Sequence, residues 1–513
     1  MNFASDVVER LPPGGLALVE LARDGARREW SFGEVAERSA RLAGELERRG
    51  VRRGDVVMTL IGNRPEWVLT MLACFRLGAV VLPCTEQLRA KDLRLRIDVA
   101  APALVLADER NRGELEAALA ASDAAASGAG RGDPALAGQA PPAVAYVPDE
   151  SLFAGAPAAA VELGESDPCL ITFTSGTAGE PKAVLHAQRY LLGQRVQAEH
   201  WLGARPGELV WCTAASGWSK SARNVFIAPW LSGAAALLHD ARFDPAERLE
   251  LLARERVNVL CMAPTEYRVI AKRATVGPLP RLRALVAAGE ALNPEVLRAF
   301  RESTGLEIRD GYGQTETGQL TGAPLDRAAR EGSMGPALPG MGLAIEDGEL
   351  TVDPATVPTF FLGYLHEHAQ RLPDGGWQVE DRRAGGRWRT GDRVGIDADG
   401  WLHFEAREDD VIISAGYRIG PFEVESALVA HPAVAEAAAV AAPDEERGAV
   451  VRAVVVLREG AYAPSPELAR ELQEHVKRET APYKYPRIVE FAAELPKTAS
   501  GKVRRAELRT PAA

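Results

Sequence analysis

Cysteine is scarce and unpatterned in this chain: Cys74, Cys84, Cys169, Cys212 and Cys261 are odd in number and show no C-x-x-C spacing. That argues against a disulfide framework and for reduced thiols in a cytoplasmic protein. Long hydrophobic runs are missing too, so no membrane span is expected. The opening MNFASDVVERLPPGG has neither an apolar signal core nor an arginine-rich amphipathic presequence, and the closing RTPAA carries no address or prenylation signal. Blocks of one charge sign are absent as well. The formal net charge of -11 is spread along the chain, which argues against a nucleic-acid partner and leaves anionic small ligands to local basic groups. The expectation is a cytoplasmic enzyme or binding protein.

What is present is ordinary globular usage, 46% hydrophobic and 26% charged over 513 residues, too much chain for one core. Ser31 and Glu34 stand at capping-box spacing before an amphipathic stretch that ends at Gly50, which predicts a helix. DVVMTLI (55–61) reads as a buried strand, EWVLTMLACFRLG (66–78) as a helix and AVVLP (79–83) as the next strand. Helices alternating with short apolar strands predict α/β layers with parallel pairing. From about 114 to 160 the composition turns to alanine, glycine, serine and proline, read as loop around one strand. CLITF (169–173) and ALVAAGE (284–290) read as further strands. Near 406 a charged REDD introduces a change of character, and a C-terminal α+β domain is expected beyond it.

Three segments carry chemistry. TSGTAGEPK, Thr174 to Lys182, follows a strand and combines glycines with hydroxyl residues, so its backbone N–H and side-chain OH groups suit phosphate oxygens while Lys182 adds a point charge. It is not the G-x-x-x-x-G-K-[ST] loop, because Glu180 and Pro181 separate Gly179 from Lys182 and Ala183 follows. DGYGQTET, Asp310 to Thr317, offers Tyr312 for stacking on a base, Asp310 for a ribose or adenine hydrogen bond and Glu316 for a magnesium ion. PKTASGKVRR, Pro496 to Arg505, stands out because lysine is rare here: Lys91, Lys182, Lys220, Lys272, Lys477, Lys484, Lys497 and Lys502 make up the set.

In this order, with WRTGD (388–392) and AREDDVIISAGYRIGP (406–421) between them, these segments resemble the adenylate-forming acyl-CoA synthetases, most nearly the medium-chain acyl-CoA ligases. LPCTEQLRAKD, SGWSKSARNVFIAPWLSGA, AAGEALNPEV and GYRIGPFEVESALVAHPAV support the subgroup, and the likeness covers nearly the whole length. The resemblance implies an α/β fold with a large multi-layer N-terminal domain, 1–408, of parallel sheets with helices plus a small β-barrel. A small mobile α+β C-terminal domain, 409–513, would follow. It implies an acid:CoA ligase that joins a medium-chain fatty or aromatic acid to ATP, releases pyrophosphate, and passes the acyl group from AMP to coenzyme A, with magnesium as cofactor and a homodimer left open. Such a loop would hold a departing pyrophosphate.

By the same resemblance Thr174, Ser175, Gly176, Thr177, Ala178, Gly179, Glu180, Pro181 and Lys182 would wrap the β and γ phosphates. Gly289, Glu290 and Ala291 with Asp310, Gly311, Tyr312, Gly313, Gln314 and Thr315 would form the adenosine site. Thr315 would lie near the α-phosphate, Glu316 with Thr174 would position magnesium, Asp392 would grip the ribose hydroxyls, and Arg407 would touch the nucleotide. Lys502 would bridge the attacking carboxylate and the α-phosphate. Asp409 would be the hinge, Ala415, Gly416 and Tyr417 would line the thiol path, and Arg418 would face the adenylate or the CoA phosphates. Trp218 and Ala222 would wall the acyl pocket.

Several positions depart from the family pattern. Ala178 replaces a threonine, Ala406 a glycine and Ala415 a frequent serine, while Arg223 stands where relatives carry an aromatic or apolar residue, so the identity of the acid stays open. SGWSKSAR lacks the aspartate of amino-acid-activating relatives. The alternatives are an adenylating enzyme that loads a carrier protein, for which no carrier domain follows Lys502, and an inactive nucleotide-binding relative.

Overall fold

The computed structural model describes residues 1–125, 141–174, 181–290, 292, 294–372, 375–414, 417–444, 447–458, 460, 462–498 and 502–509. Two seven-stranded sheets organise the larger part. One runs Ile308–Gly311, Ala284–Ala288, Val259–Met262, Leu209–Cys212, Ala235–His239, Leu16–Leu21 and Arg27–Ser31, parallel except at the last pair. The other runs Gly363–Tyr364, Ala183–Ala187, Pro168–Phe173, Val80–Cys84, Val56–Leu60, Leu104–Asp108 and Ala143–Val147. Its strands from Pro168–Phe173 to Ala143–Val147 are parallel, as the alternation predicts.

The strands are apolar on both faces because helices cover both. Val57 and Val81 point into the main core between the sheets, whereas their neighbours Val56, Met58, Val80 and Leu82 point to an outer cluster under helix Ala90–Ala100. Helices Phe32–Arg48 and Pro65–Leu77 fill the space between the sheets, and Pro245–Arg254, Pro264–Arg273 and Pro294–Thr304 cover the other outer face. The result is a helix–sheet–helix–sheet–helix stack. Helix Phe32–Arg48 has the predicted cap: the Glu34 N–H donates to the Ser31 hydroxyl at 3.2 Å and the Ser31 N–H to the Glu34 carboxylate at 2.8 Å.

The expectation of loop from about 114 needs correction, since Arg112–Ala125 is a helix. Alanine is the best helix former, and Leu115 and Ala118 of this segment are fully buried, so an alanine-rich stretch reads as linker only while its buried face goes unnoticed. Where a small barrel was expected, the described residues form a four-stranded antiparallel sheet, Leu343–Glu346, Glu349–Val352, Trp388–Ile396 and Leu402–Arg407, around Met334, Leu350, Val394 and Leu402.

Beyond Arg407 the chain packs around a cluster of its own, with Ile412, Ile419, Val424, Leu428, Val451, Val455, Leu472 and Val476 buried. Hairpin Ile412–Ser414 and Tyr417–Ile419, helices Pro421–Ala430 and Pro466–Glu479, and the sheet Val434–Asp444, Gly448–Leu457, Ile488–Phe491 build it. No helix among the described residues is long and apolar enough to cross a membrane.

Candidate active site

In parallel sheets the carboxyl ends of the strands face open space and carry ligands. Strands Ala284–Ala288 and Ile308–Gly311 are in register, Ala287 beside Asp310 and Ala288 beside Gly311, so Gly289 and Tyr312 leave the sheet together. Gly289 has φ +103°, a conformation that L side chains rarely adopt. Both segments open onto one cavity of about 2210 Å³ that reaches across to the C-terminal part.

Tyr312, Gln314 and Arg407 converge on Asp392. The Tyr312 phenol donates to Oδ2, Gln314 Nε2 donates to the same oxygen at 2.9 Å, and Arg407 Nη1 reaches Oδ1 at 3.2 Å. Burial pushes the Asp392 carboxyl up, while Arg407, Tyr312, Gln314 and Lys502 pull it back. The Gln314 amide is fixed in turn by the Thr390 carbonyl at 2.7 Å and Trp388 Nε1 at 3.2 Å. Burial raises Asp310 to about 8 against the Gly311 N–H and the Lys220 charge. Lys220 Nζ donates to the Ala288 carbonyl at 3.2 Å, which brings this lysine to the same strand ends.

A second group gathers on Tyr364. Its hydroxyl donates to Glu316 Oε1 at 2.7 Å, and the Lys182 ammonium lies 4.6 Å from its ring centroid while bonding Glu367 at 2.9 Å. Thr174 and Lys182 belong to two antiparallel strands' connection, closed by Thr174 N–H to the Lys182 carbonyl and Lys182 N–H to Thr174 Oγ1, both 2.9 Å. Thr174 and Lys182 therefore face each other at the ends of two antiparallel strands. Pro181 lines the cavity with Thr174 and Lys182. The positions Ser175, Gly176, Thr177, Ala178, Gly179 and Glu180 lie outside the described residues, as do Ala291, Ala415 and Gly416.

Lys502 arrives from the far end of the sequence. Thr498 brackets it, its N–H bonding the Lys502 carbonyl at 2.8 Å and its hydroxyl accepting the Lys502 N–H at 3.2 Å. Burial lowers the Lys502 ammonium's pKa, and the charges that reach it are those of Glu290, Lys220, Asp392 and Arg407. Glu290 is held by Thr265 Oγ1 at 2.6 Å and Arg268 at 2.7 Å. Thr315 and Gly313 line the same cavity.

Asp409 accepts from Arg407 Nε at 3.3 Å through its side chain and from Arg509 at 2.9 Å through its carbonyl, so it touches both parts. Tyr417 does not line the cavity; it is 52% exposed and stacks on Tyr483 with centroids 4.4 Å apart. The backbone of Arg418 pairs with Ile413. Trp218 lines the cavity, whereas Ala222 packs into the main core and its neighbour Arg223 lines the cavity in its place. Sequence reasoning passed over Tyr364, Glu367, Thr265 and Arg268, which hold the ionic groups in position. The only signal for Tyr364 and Glu367 was an aromatic and acidic cluster in GYLHEH.

Residues 6–366 match the AMP-binding enzyme family and residues 423–502 match the AMP-binding enzyme C-terminal domain. An uncharacterized acyl-CoA ligase of Bacillus subtilis is 38% identical, covering 96% of this chain and 92% of its own. The acyl-coenzyme A synthetase ACSM3 of Homo sapiens, described as mitochondrial, is 37% identical over 99% of this chain and 89% of its own. The crystal structure of a benzoate CoA ligase from Burkholderia xenovorans LB400 has a TM-score of 0.83 at 26% identity, covering 99% of this chain and all of that one. With both family domains in sequence and relatives of this identity along the full length, the chain belongs to the AMP-binding, adenylate-forming acyl-CoA synthetase family.

Proposed function

We propose that this protein is an AMP-forming acid:CoA ligase acting on a medium-chain fatty or aromatic acid, with 1–408 and 409–513 as its two domains. One observation carries the reading. The ammonium of Lys502, from late in the sequence, enters a cavity where the charges of Glu290 and Asp392 act on it and the Lys182–Tyr364–Glu316 group lines the wall.

In the first step a carboxylate oxygen attacks the α-phosphorus of ATP, and the bond from that phosphorus to the bridging oxygen of the β-phosphate breaks. Pyrophosphate leaves. Both reactants are anions, so the work is positioning and charge stabilisation, which suits Lys502 between them and Lys182 on the departing phosphates. Asp392 takes the ribose hydroxyls, since a carboxylate accepts from two donors well, and Tyr312 lies against the base. Glu316 has one carboxylate oxygen engaged by Tyr364, and together with the Thr174 hydroxyl it fits magnesium, which keeps waters and takes few protein ligands beside substrate phosphates. Magnesium would supply charge neutralisation of the phosphates.

In the second step the coenzyme A sulfur attacks the acyl carbon, its proton passes to solvent, and the bond to the AMP oxygen breaks. Lys502 then has to leave. A turn about Asp409 would remove it and bring the Tyr417 hairpin to the cavity, a one-site-at-a-time arrangement common to hinged enzymes. Five buried, unbridged cysteines suit a reducing, cytoplasmic setting.

The test is an assay of acids with ATP, magnesium and coenzyme A, following AMP, pyrophosphate and thioester. AMP and thioester in equal amounts support the ligase. ADP as product, or AMP released without need of coenzyme A, overturns it.

A further inference from the structure

Arg223 opens the π-helical turn Arg223–Ile227 and lines the cavity, yet it is only 4% exposed. Its Nε and Nη1 have no hydrogen-bond partner, and among the described residues no carboxylate pairs with it. The groups its charge does reach are neutral. Burial and then the Arg223 and Arg189 charges push the His186 imidazole down to about 3, and burial keeps the Tyr190 hydroxyl protonated by raising it. The neighbouring cations are already answered: Arg189 bonds Asp381 at 2.9 Å, and Lys220 bonds the Ala288 carbonyl and faces Asp310.

A buried guanidinium without an anion is costly, and native structures satisfy such groups. Polar atoms beside it are also unpartnered. Gln197 Nε2 donates to Asn224 Oδ1 at 3.1 Å, which leaves Gln197 Oε1, Asn224 Nδ2 and the Ser221 hydroxyl without partners, all in fully buried residues. Single π-helical turns of this kind recur at functional sites. Of these groups the Arg223 guanidinium lines the cavity, and an acyl group made only of hydrocarbon leaves it without an anion. Arg223 and Thr315 line the same cavity, so Arg223 faces the space that the acid would occupy in the function proposed above.

We propose that Arg223 is a specificity-determining residue that binds a second carboxylate at the far end of the acid, so that the substrates are compact dicarboxylic acids activated at one end. The inference rests on the ligase reading. The planar fork of arginine matches a carboxylate with two parallel hydrogen bonds, and the Trp218 ring on the cavity wall offers an apolar face to the part between the two carboxylates.

The test compares acids that differ only in the far carboxylate, adipate against hexanoate, suberate against octanoate and terephthalate against benzoate, by kcat/KM for thioester formation. The wild-type enzyme should favour a dicarboxylate over its matched monoacid by ~10²-fold or more, because a site built to bond a polar group rejects analogues that lack it. Arg223→Met keeps the stem's bulk and should reverse that preference, with the KM for ATP unchanged, while Arg223→Lys should restore part of it. A wild-type preference for the monoacids, or a ratio that Arg223→Met leaves unaltered, overturns the proposal and leaves the ligase reading standing. Should Arg223→Met fail to fold, the wild-type ratio alone decides. No AMP from any acid in either set overturns the ligase reading and this proposal with it.

Discussion

Asp392 and Arg407 are partners twice over: they sit opposite one another in the register of strands Trp388–Ile396 and Leu402–Arg407, and Arg407 Nη1 meets Asp392 Oδ1 at 3.2 Å. The same guanidinium bonds Asp409 through Nε. One arginine thus joins the carboxylate proposed for the ribose to the residue proposed as the hinge. With those two proposed roles, nucleotide binding and the position of the C-terminal part would be coupled through this one side chain.

Asp392→Asn tests the first half of that coupling. The amide keeps the shape and loses the charge, so it gives up the ion pair with Arg407 and one acceptor for the ribose. Hydrogen bonds to a charged group contribute about 1.5–3 kcal/mol, which corresponds to a rise of ~10- to 100-fold in the KM for ATP. Initial rates against ATP at a saturating acid check it; an unchanged KM removes the ribose assignment.

Lys502→Ala should lower adenylation by ~10²- to 10³-fold, the scale for one preorganised electrostatic contact. Thioester formation from synthetic acyl-adenylate should stay near normal, because the proposed second step takes the lysine out of the site. Pyrophosphate exchange and thioester assays run on the same preparation separate the two. Equal loss in both argues against withdrawal.

Asp409→Pro should do the reverse. Among the described residues no acceptor receives the Asp409 N–H, so proline removes no backbone hydrogen bond there; it gives up the exposed side-chain bond from Arg407 Nε and fixes φ. Adenylation should survive while transfer to coenzyme A falls by ~10-fold or more, since the barrier added is to rotation. Parallel loss in both half-reactions places the hinge elsewhere.

Much of this arrangement is legible in the sequence wherever the signal is local. Ser31 and Glu34 announce a cap, and the alternation of DVVMTLI, EWVLTMLACFRLG and AVVLP announces a parallel strand–helix–strand unit. What was not legible comes from contacts far apart in the chain: Glu367 is 185 residues from the Lys182 it bonds, and Glu316 is 48 from Tyr364. Ala222 illustrates a subtler failure. The resemblance implied that Ala222 walls the acyl pocket with Trp218, whereas Ala222 packs into the main core and Arg223, the first residue of the wider turn Arg223–Ile227, lines the cavity.

The pH dependence of stability offers a last check on the adenosine end. Asp310 carries its proton to about 8 because burial disfavours the carboxylate. In the unfolded chain the same group ionises near 4. Its folded value is the higher one, so the folded state binds the proton more tightly: its contribution is fully present below pH ~4 and is lost progressively as pH rises through about 8. Asp310→Asn removes the titration and keeps a group that can hydrogen-bond. Relative to the wild type, the gain in Tm should therefore be larger at pH 9 than at pH 5, by about a few degrees. Thermal unfolding without nucleotide, followed at both pH values, measures the difference. A gap in Tm that is the same at both shows that Asp310 is already ionised at neutral pH and that its role is that of an acceptor alone.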